Sequence, residues 1–259
     1  MRHGESTYIA EGRFQGAADA PLSPLGERQA ALAAERLAAP DRPPALPLPP
    51  SAPVEIVHSP LGRAAATAEA VRAAIIAARG GSGPPRRGDP GFLEIAQGGW
   101  EGRHRTEIEA ADGELLSAWR REPLTANAPG GERVVDAAVR VRSALQAVID
   151  RLAQAARTRA SSGGVGSRPP AVAGYPGPAV ADAPWTLLVG HDGIFKVALL
   201  ALLDLPLERF WTFPFALCGI TVVEFRDGRG ILRAHNLVEH LAPLAATSPA
   251  AAAPVNGAL

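Results

Sequence analysis

Trp185-Thr186-Leu187-Leu188-Val189 runs straight into Gly190-His191-Asp192-Gly193, and a further apolar stretch follows over 194–203. A nearly all-apolar run of strand length is what a strand covered on both faces requires, and such strands belong to parallel sheets. The stretch after it predicts a helix over about 194–204. A buried strand, a glycine-marked turn and a helix in immediate succession point away from all-α and all-β folds.

The same unit recurs upstream. Ser23-Pro24 puts a capping hydroxyl before a proline at the first helical position, which predicts a helix over about 24–38. Val54-Glu55-Ile56-Val57 reads as a short strand. Ser59-Pro60 repeats the helix start, and a second helix is expected from about 60 to 79, stopped by Gly80-Gly81-Ser82-Gly83-Pro84-Pro85. Residues 92–95 suggest a brief strand and 114–121 a short helix. Val135, Val139, Leu145, Val148, Ile149 and Leu152 recur at near-helical spacing, predicting a long helix over 132–155. Strands near 219–226 and 230–235 meet at Asp227-Gly228, a hairpin signal. Strands alternating with helices imply an α/β, three-layer αβα sandwich around a mostly parallel central sheet. Ligands of such sheets bind beyond the carboxyl ends of the strands.

Three segments fall outside this pattern. Residues 40–53 hold seven prolines, 153–184 are almost entirely Ala, Gly, Pro, Ser and Arg, and 243–259 are an Ala/Pro tail. We expect one domain over 1–242 with inserts at 40–53 and 153–184, the arginines of the second insert solvating a loop, and a disordered tail. With 26 Lys+Arg against 26 Asp+Glu the chain is neutral, so no basic field exists to hold nucleic acid or an anionic membrane. The lone Cys218 excludes an internal disulfide framework and a Cys-based zinc cluster. The longest apolar run, 197–203, is far short of the roughly 20 residues of a membrane span. A cytoplasmic setting is the expectation.

Candidate chemistry lies right after the strands. Arg2-His3-Gly4-Glu5-Ser6 opens the chain and Gly12-Arg13-Phe14-Gln15-Gly16 follows; Ser59-Pro60-Leu61-Gly62-Arg63 and Gly190-His191-Asp192-Gly193 sit at strand-to-helix turns; Leu93-Glu94-Ile95 lies between. Arg2 and Arg63 can each fork onto two oxygens of a tetrahedral oxyanion. Arg63 in a first helical turn faces the positive end of the dipole, which suggests a bound anion beside it. The N–H groups from Gly193 onward open a helix and attract anions. A neutral imidazole attacks phosphorus, and neighbouring cations keep it neutral. A carboxyl such as Glu94 protonates a departing alkoxide and then takes a proton from water. Together these groups make a phosphoryl-transfer site with no metal and no cofactor. His58, His104, His235 and His240 read as structural or surface residues, and Phe210, Trp211, Phe213 and Phe215 as core or pocket wall.

The sequence resembles the histidine phosphatase superfamily, which includes the cofactor-dependent phosphoglycerate mutases. The resemblance rests on Arg-His-Gly-Glu, Arg-Phe-Gln-Gly with Asp19-Ala20-Pro21-Leu22, and Ser-Pro-Leu-Gly-Arg-Ala with Thr67-Ala68-Glu69. It rests equally on Leu-Glu-Ile with Gly98-Gly99-Trp100-Glu101-Gly102, Pro129-Gly130-Gly131-Glu132, and the late Gly-His. These occur in order over most of the chain outside the low-complexity segments. The resemblance implies His3 as the phosphorylated nucleophile and Glu94 as proton donor. It also implies Arg2, Arg63 and His191 as phosphoryl ligands, with Arg13 and Gln15 at the substrate entrance.

Three departures stand out. Only Met1 precedes Arg2 where the family has an apolar strand, so the first strand looks missing or truncated and His3 is expected on a free end; an apolar extension of about six residues, one strand, is expected to raise stability and activity. Ile9 replaces a usual asparagine, costing one hydrogen bond. Asp192 stands where a small or neutral residue is commoner, and would either repel phosphate or orient His191. The leading expectation is a phosphomonoesterase acting on a small phosphorylated metabolite. A phosphoglycerate mutase is the alternative within enzymes, disfavoured by the short stretch after Glu94, and a non-catalytic phosphate-binding module is the alternative outside them. A sugar phosphate, a nucleotide, a glycerate and α-ribazole phosphate all fit the motif set, and the oligomeric state is open.

Overall fold

The computed structural model describes residues 1–161, 183–226 and 228–245. Most of the second expected insert (162–182), Asp227 of the hairpin turn and the tail beyond 245 lie outside the described residues.

The central strand is β1 (Glu55–His58), flanked in parallel by β2 (Arg86–Gly88) and β3 (Thr186–Val189), in the order β2-β1-β3. Ile56 stands opposite Leu187 and Val57 opposite Leu188. The other edge of β3 is taken by the first three residues. The Met1 amino group donates to Leu188 O at 2.8 Å, Gly190 N to Met1 O at 3.2 Å and His3 N to Gly190 O at 2.9 Å. On the far side, Cys218 N donates to His3 O at 3.2 Å, just before the antiparallel pair β4 (Ile220–Arg226) and β5 (Arg229–Leu237). The expected free end is therefore corrected. Three residues, hydrogen-bonded on both sides, hold His3 with 1% of its surface exposed.

Seven helices accompany the strands among the described residues: α1 (Thr7–Ala10), α2 (Pro24–Ala38), α3 (Gly62–Arg79), α4 (Arg105–Arg121), α5 (Val134–Ser161), α6 (Asp192–Leu202) and α7 (Ala242–Ala245). Successive strand residues point to opposite faces, and the packing follows that alternation. Ile56, Leu187 and Val189 join Ala33 and Leu37 of α2 and Ala68, Val71 and Ile75 of α3. Val57 and Leu188 join Val141, Leu145 and Val148 of α5 and Ile194, Val197 and Ala198 of α6. Both faces of the β1–β3 pair are covered by apolar side chains, and each fully buried Val, Ile or Leu contributes about 1.5–3 kcal/mol. The result is the expected αβα sandwich with a parallel centre.

Several elements differ from expectation, each for a local reason. α3 begins at Gly62 rather than 60, because Ser59 Oγ accepts from Leu61 N and the helix is capped from a distance by Asp19, whose Oδ1 accepts from Gly62 N at 2.6 Å. Residues 92–95 form no strand: a 3-10 turn over Pro90–Phe92 takes the first of them and 93–95 are irregular. The third sheet position goes to β2, whose exposed Arg-Arg-Gly has no apolar alternation to reveal it. α4 starts at Arg105 and is interrupted at Asp112 (φ −130°, ψ 27°), where Asp112 Oδ2 accepts from Trp100 Nε1 at 2.9 Å; the expected 114–121 is its second half. α5 runs on to Ser161, so the first nine residues of the expected insert are helical and Arg157 lies on that helix against Gln154. From the proline-rich insert, Leu46 is buried in the α2/α3 core. Residues 243–245 of the expected tail belong to α7. No helix among the described residues is long and apolar enough to cross a membrane.

Candidate active site

The amino-terminal residues beside β3, the β1–α3 turn and the β3–α6 turn meet at the carboxyl end of the sheet. His3 enters from the first. Its loop passes hard against the start of α2: a Cβ on Gly4 would lie 2.4 Å from Gly26 O, and one on Gly26 would lie 1.9 Å from Glu5 O. Only glycine at both positions permits this approach. Gly4 N donates to Thr67 Oγ1 at 3.2 Å, tying the loop to α3 one turn beyond Arg63.

The two ring nitrogens of His3 have unlike partners. Nδ1 lies 2.6 Å from Gly4 O, which only accepts, and Nε2 lies 3.3 Å from Arg63 Nε, which only donates. Both contacts require the neutral tautomer with hydrogen on Nδ1 and the lone pair on Nε2. Burial, then the charges of Arg63 and Arg2, holds the His3 pKa well below its usual value. His191 caps α6, with its ring centroid 4.9 Å from that of His3. It is fully buried, its nitrogens have no partner among the described residues, and burial followed by Arg63, His3 and Arg2 depresses its pKa as well.

Arg63 is fully buried and aimed by three acceptors: His3 Nε2, Ala18 O at 2.6 Å and Gly16 O at 2.8 Å. Burial lowers its pKa to about 10. Its two carbonyl partners belong to a loop fastened by Glu101, whose Oε1 accepts from Ala17 N at 2.9 Å and Gln97 N at 2.8 Å. Asp19 adds an anion of the protein's own at the start of α3, on Gly62 N. Arg2 is buried next to His3, with Nη1 on Phe215 O at 2.6 Å and Nε unpartnered among the described residues.

Glu94 reaches the same place from an irregular segment. Its Oε1 accepts from Ile95 N at 2.9 Å and Ile194 N at 3.2 Å, and its Oε2 accepts from Gly193 N at 3.1 Å. Here the structure corrects the role expected of Gly193: its N–H serves the Glu94 carboxylate. Burial raises the Glu94 pKa above the ordinary carboxyl value, outweighing those N–H groups and reinforced by Asp192. Asp192 itself turns from His191 to Lys196, 2.5 Å away and one turn along α6, and Lys196 lies over the rings of Phe210 and Trp211. It neither orients His191 nor stands alone as a negative charge.

Gln15 is buried and receives the Ser6 hydroxyl on its Oε1, which leaves its NH2 as the donor end. Arg13 lies further out, half-exposed, with Nε on Glu11 at 2.7 Å and Nη1 on Gly102 O at 2.7 Å. Of the eight residues read from sequence, five gather around one point, Gln15 lies buried beside Ser6, Arg13 lies on the rim, and Gly193 supports Glu94. Among the described residues, no three His, Cys, Asp or Glu side chains come together as a metal site would need.

Two histidines, two arginines and a protonatable carboxyl at a sheet's carboxyl end agree with a match of the histidine phosphatase superfamily (branch 1) model to residues 1–165 and 179–238. The chain belongs to that superfamily. The glucosyl-3-phosphoglycerate phosphatase of Mycolicibacterium vanbaalenii is 34% identical to this histidine phosphatase over 210 residues, covering 81% of this chain and 75% of the relative. Bacillus stearothermophilus YhfR superposes with a TM-score of 0.68 at 26% identity, covering 93% of this chain and 96% of the other. A mycobacterial glucosyl-3-phosphoglycerate phosphatase solved with VO3 gives a TM-score of 0.67 at 27% identity, covering 91% and 96%. The expected enzyme class, a phosphoric monoester hydrolase acting on a small phosphate ester, agrees with the family and with these relatives.

The supports Asp19, Thr67 and Glu101 fall inside the motifs of the resemblance but do not stand out by spacing, because they hold the backbone N–H groups of Gly62, Gly4 and Ala17, 43, 63 and 84 residues away.

Proposed function

We propose that this histidine phosphatase hydrolyses a small phosphomonoester by passing the phosphoryl group through His3 Nε2. The observation that carries the reading is the tautomer: the Nε2 lone pair sits among the guanidinium of Arg63 and the ring of His191, while Gly4 O receives the Nδ1 hydrogen. Nε2 attacks phosphorus, an N–P bond forms, and the ester P–O bond breaks. Glu94, whose raised pKa favours the acid form, gives its proton to the departing alkoxide. Gly4 O then stabilises the positive charge that appears on the ring. Arg2, Arg63 and an N–H of His191 bind the three phosphoryl oxygens where charge builds up. In the second half, ionised Glu94 takes a proton from water, whose oxygen attacks phosphorus; the N–P bond breaks, phosphate leaves and neutral His3 returns. No metal enters the cycle, so a chelator is expected to leave activity intact.

Transfer to water rather than to a second substrate oxygen is supported by relatives that are named phosphatases; on the rim, Arg13 is tied by Nε to Glu11 and by Nη1 to Gly102 O. Sugar-acid phosphates, the chemistry named for the mycobacterial relatives, are the first substrates to try. A cytoplasmic setting fits the single free cysteine. The decisive experiment is acid-sparing and alkaline quench of enzyme mixed with labelled substrate. An acid-labile, base-stable phosphoryl group is expected on the wild-type chain and none on His3→Ala. Turnover without that adduct, or the adduct on His3→Ala, overturns the proposal; phosphate-ester binding with neither adduct nor turnover makes the chain a binding module.

A further inference from the structure

Glu94 sits on a stretch that is neither helix nor strand, so something other than a backbone ladder must hold it. Arg140, midway along α5, supplies that hold. Its Nη1 donates to Gly91 O at 3.0 Å and to Leu93 O at 2.7 Å, and its Nη2 donates to Glu94 O at 3.3 Å. Its remaining donors go to one carboxylate: Nε to Glu132 Oε1 at 2.7 Å and Nη2 to Glu132 Oε2 at 2.6 Å. All five N–H groups of the guanidinium are thereby used. Glu132 is itself fixed to the same stretch, its N–H donating to Ala96 O at 2.9 Å. One turn further along α5, Ala144 packs so closely on Gly91 that a Cβ there would lie 2.4 Å away.

We infer that the Glu132–Arg140 pair is a positioning device for the proton donor: it grips the carbonyls on either side of Glu94 and thereby sets the carboxyl against the leaving group. This rests on Glu94 being the general acid. The Pro129-Gly130-Gly131-Glu132 motif, which has no part in phosphate binding, acquires a role in it. Lysine cannot replace Arg140, because a point charge cannot serve three carbonyls and a bidentate carboxylate together.

A general acid matters only when the leaving group is poor, and this separates positioning from mere stability. The test compares kcat/KM for p-nitrophenyl phosphate, whose phenolate leaves unaided, with that for β-glycerophosphate, whose alkoxide needs a proton. Glu94→Gln is expected to lose on the order of a hundredfold or more with the alkyl ester and little with the aryl ester. Arg140→Lys and Glu132→Gln are expected to show the same selectivity at about tenfold, less than the roughly hundredfold cost of a full ångström of misplacement. Thermal melting of each variant shows that it is folded at the assay temperature, and Glu132→Gln, which keeps the side-chain shape, carries the test should Arg140→Lys fail to fold. Equal losses on both esters in the Arg140 and Glu132 variants, with Glu94→Gln selective, overturn the positioning role alone. Loss of selectivity in Glu94→Gln overturns the general-acid assignment and the inference with it.

Discussion

The two halves of the site are built on different physics. His3 and His191 ride on the sheet: their backbones continue the β3 edge, and glycines let the His3 loop press on α2. Glu94 rides on an irregular stretch whose carbonyls are gathered by an arginine 46 residues away in sequence. A sheet fixes side chains through repeating backbone bonds, each replaceable by its neighbours. The Glu94 stretch depends on a few side-chain bonds with no such reserve. The first half is held by backbone bonds and close approach; the second, besides its close approach at Gly91, hangs on one side-chain pair and fails when that hydrogen-bonding group is removed.

The largest effect that would break this contrast comes from Gly26→Ala. The new methyl falls on Glu5 O and displaces the His3 loop, so activity is expected to drop about a hundredfold or more on aryl and alkyl esters alike, with a lowered melting temperature. Unchanged kinetics would show that the loop has slack.

Acidity separates the halves by sign. His3 and His191 have depressed folded-state values, so their share of stability is full above the unfolded value of about 6.5 and is lost as pH falls below it, by up to about 1.4 kcal/mol per pH unit for each proton. Glu94 is raised above the ordinary carboxyl value, so its share is present below that value and lost as pH rises through the folded value. Denaturant midpoints between pH 7 and 5 are expected to fall for the wild type, more steeply for Glu94→Gln and less steeply for His191→Gln. Parallel slopes in all three would contradict the assignment.

The smallest effect sits at the joint. Asp19→Ala removes the remote cap of α3 and is expected to cost about 1 kcal/mol of stability, the usual value of an N-cap. It should raise KM more than it lowers kcat, because the loop carrying the Arg63 carbonyl partners is loosened. A reversed split in steady-state kinetics would place Asp19 in the chemical step.

The same division explains what the sequence discloses. Trp185 to Val189, Val54 to Val57, and the Ser-Pro starts advertise strands and helices because burial on one or two faces writes a period into the chain. Arg2, His3, Arg63 and His191 fall at the ends of those units and are readable with them. β2 is not, since its Arg-Arg-Gly is exposed and carries no apolar alternation to mark a strand. The first half of α4 buries a single apolar side chain, Ile108, between charged neighbours, too little to show a stripe. Glu94 came from family likeness, and Arg140 from nothing local, because a guanidinium that collects carbonyls needs no particular spacing from them. Asp19, 43 residues from the Gly62 N–H it caps, is equally silent in the sequence around α3.

The backbone partners of His3 are Gly190 and Cys218. Those contacts join positions 187 and 215 residues apart in the chain, the non-local kind that forms slowly, so the imidazole is expected to reach its seat late in folding rather than early.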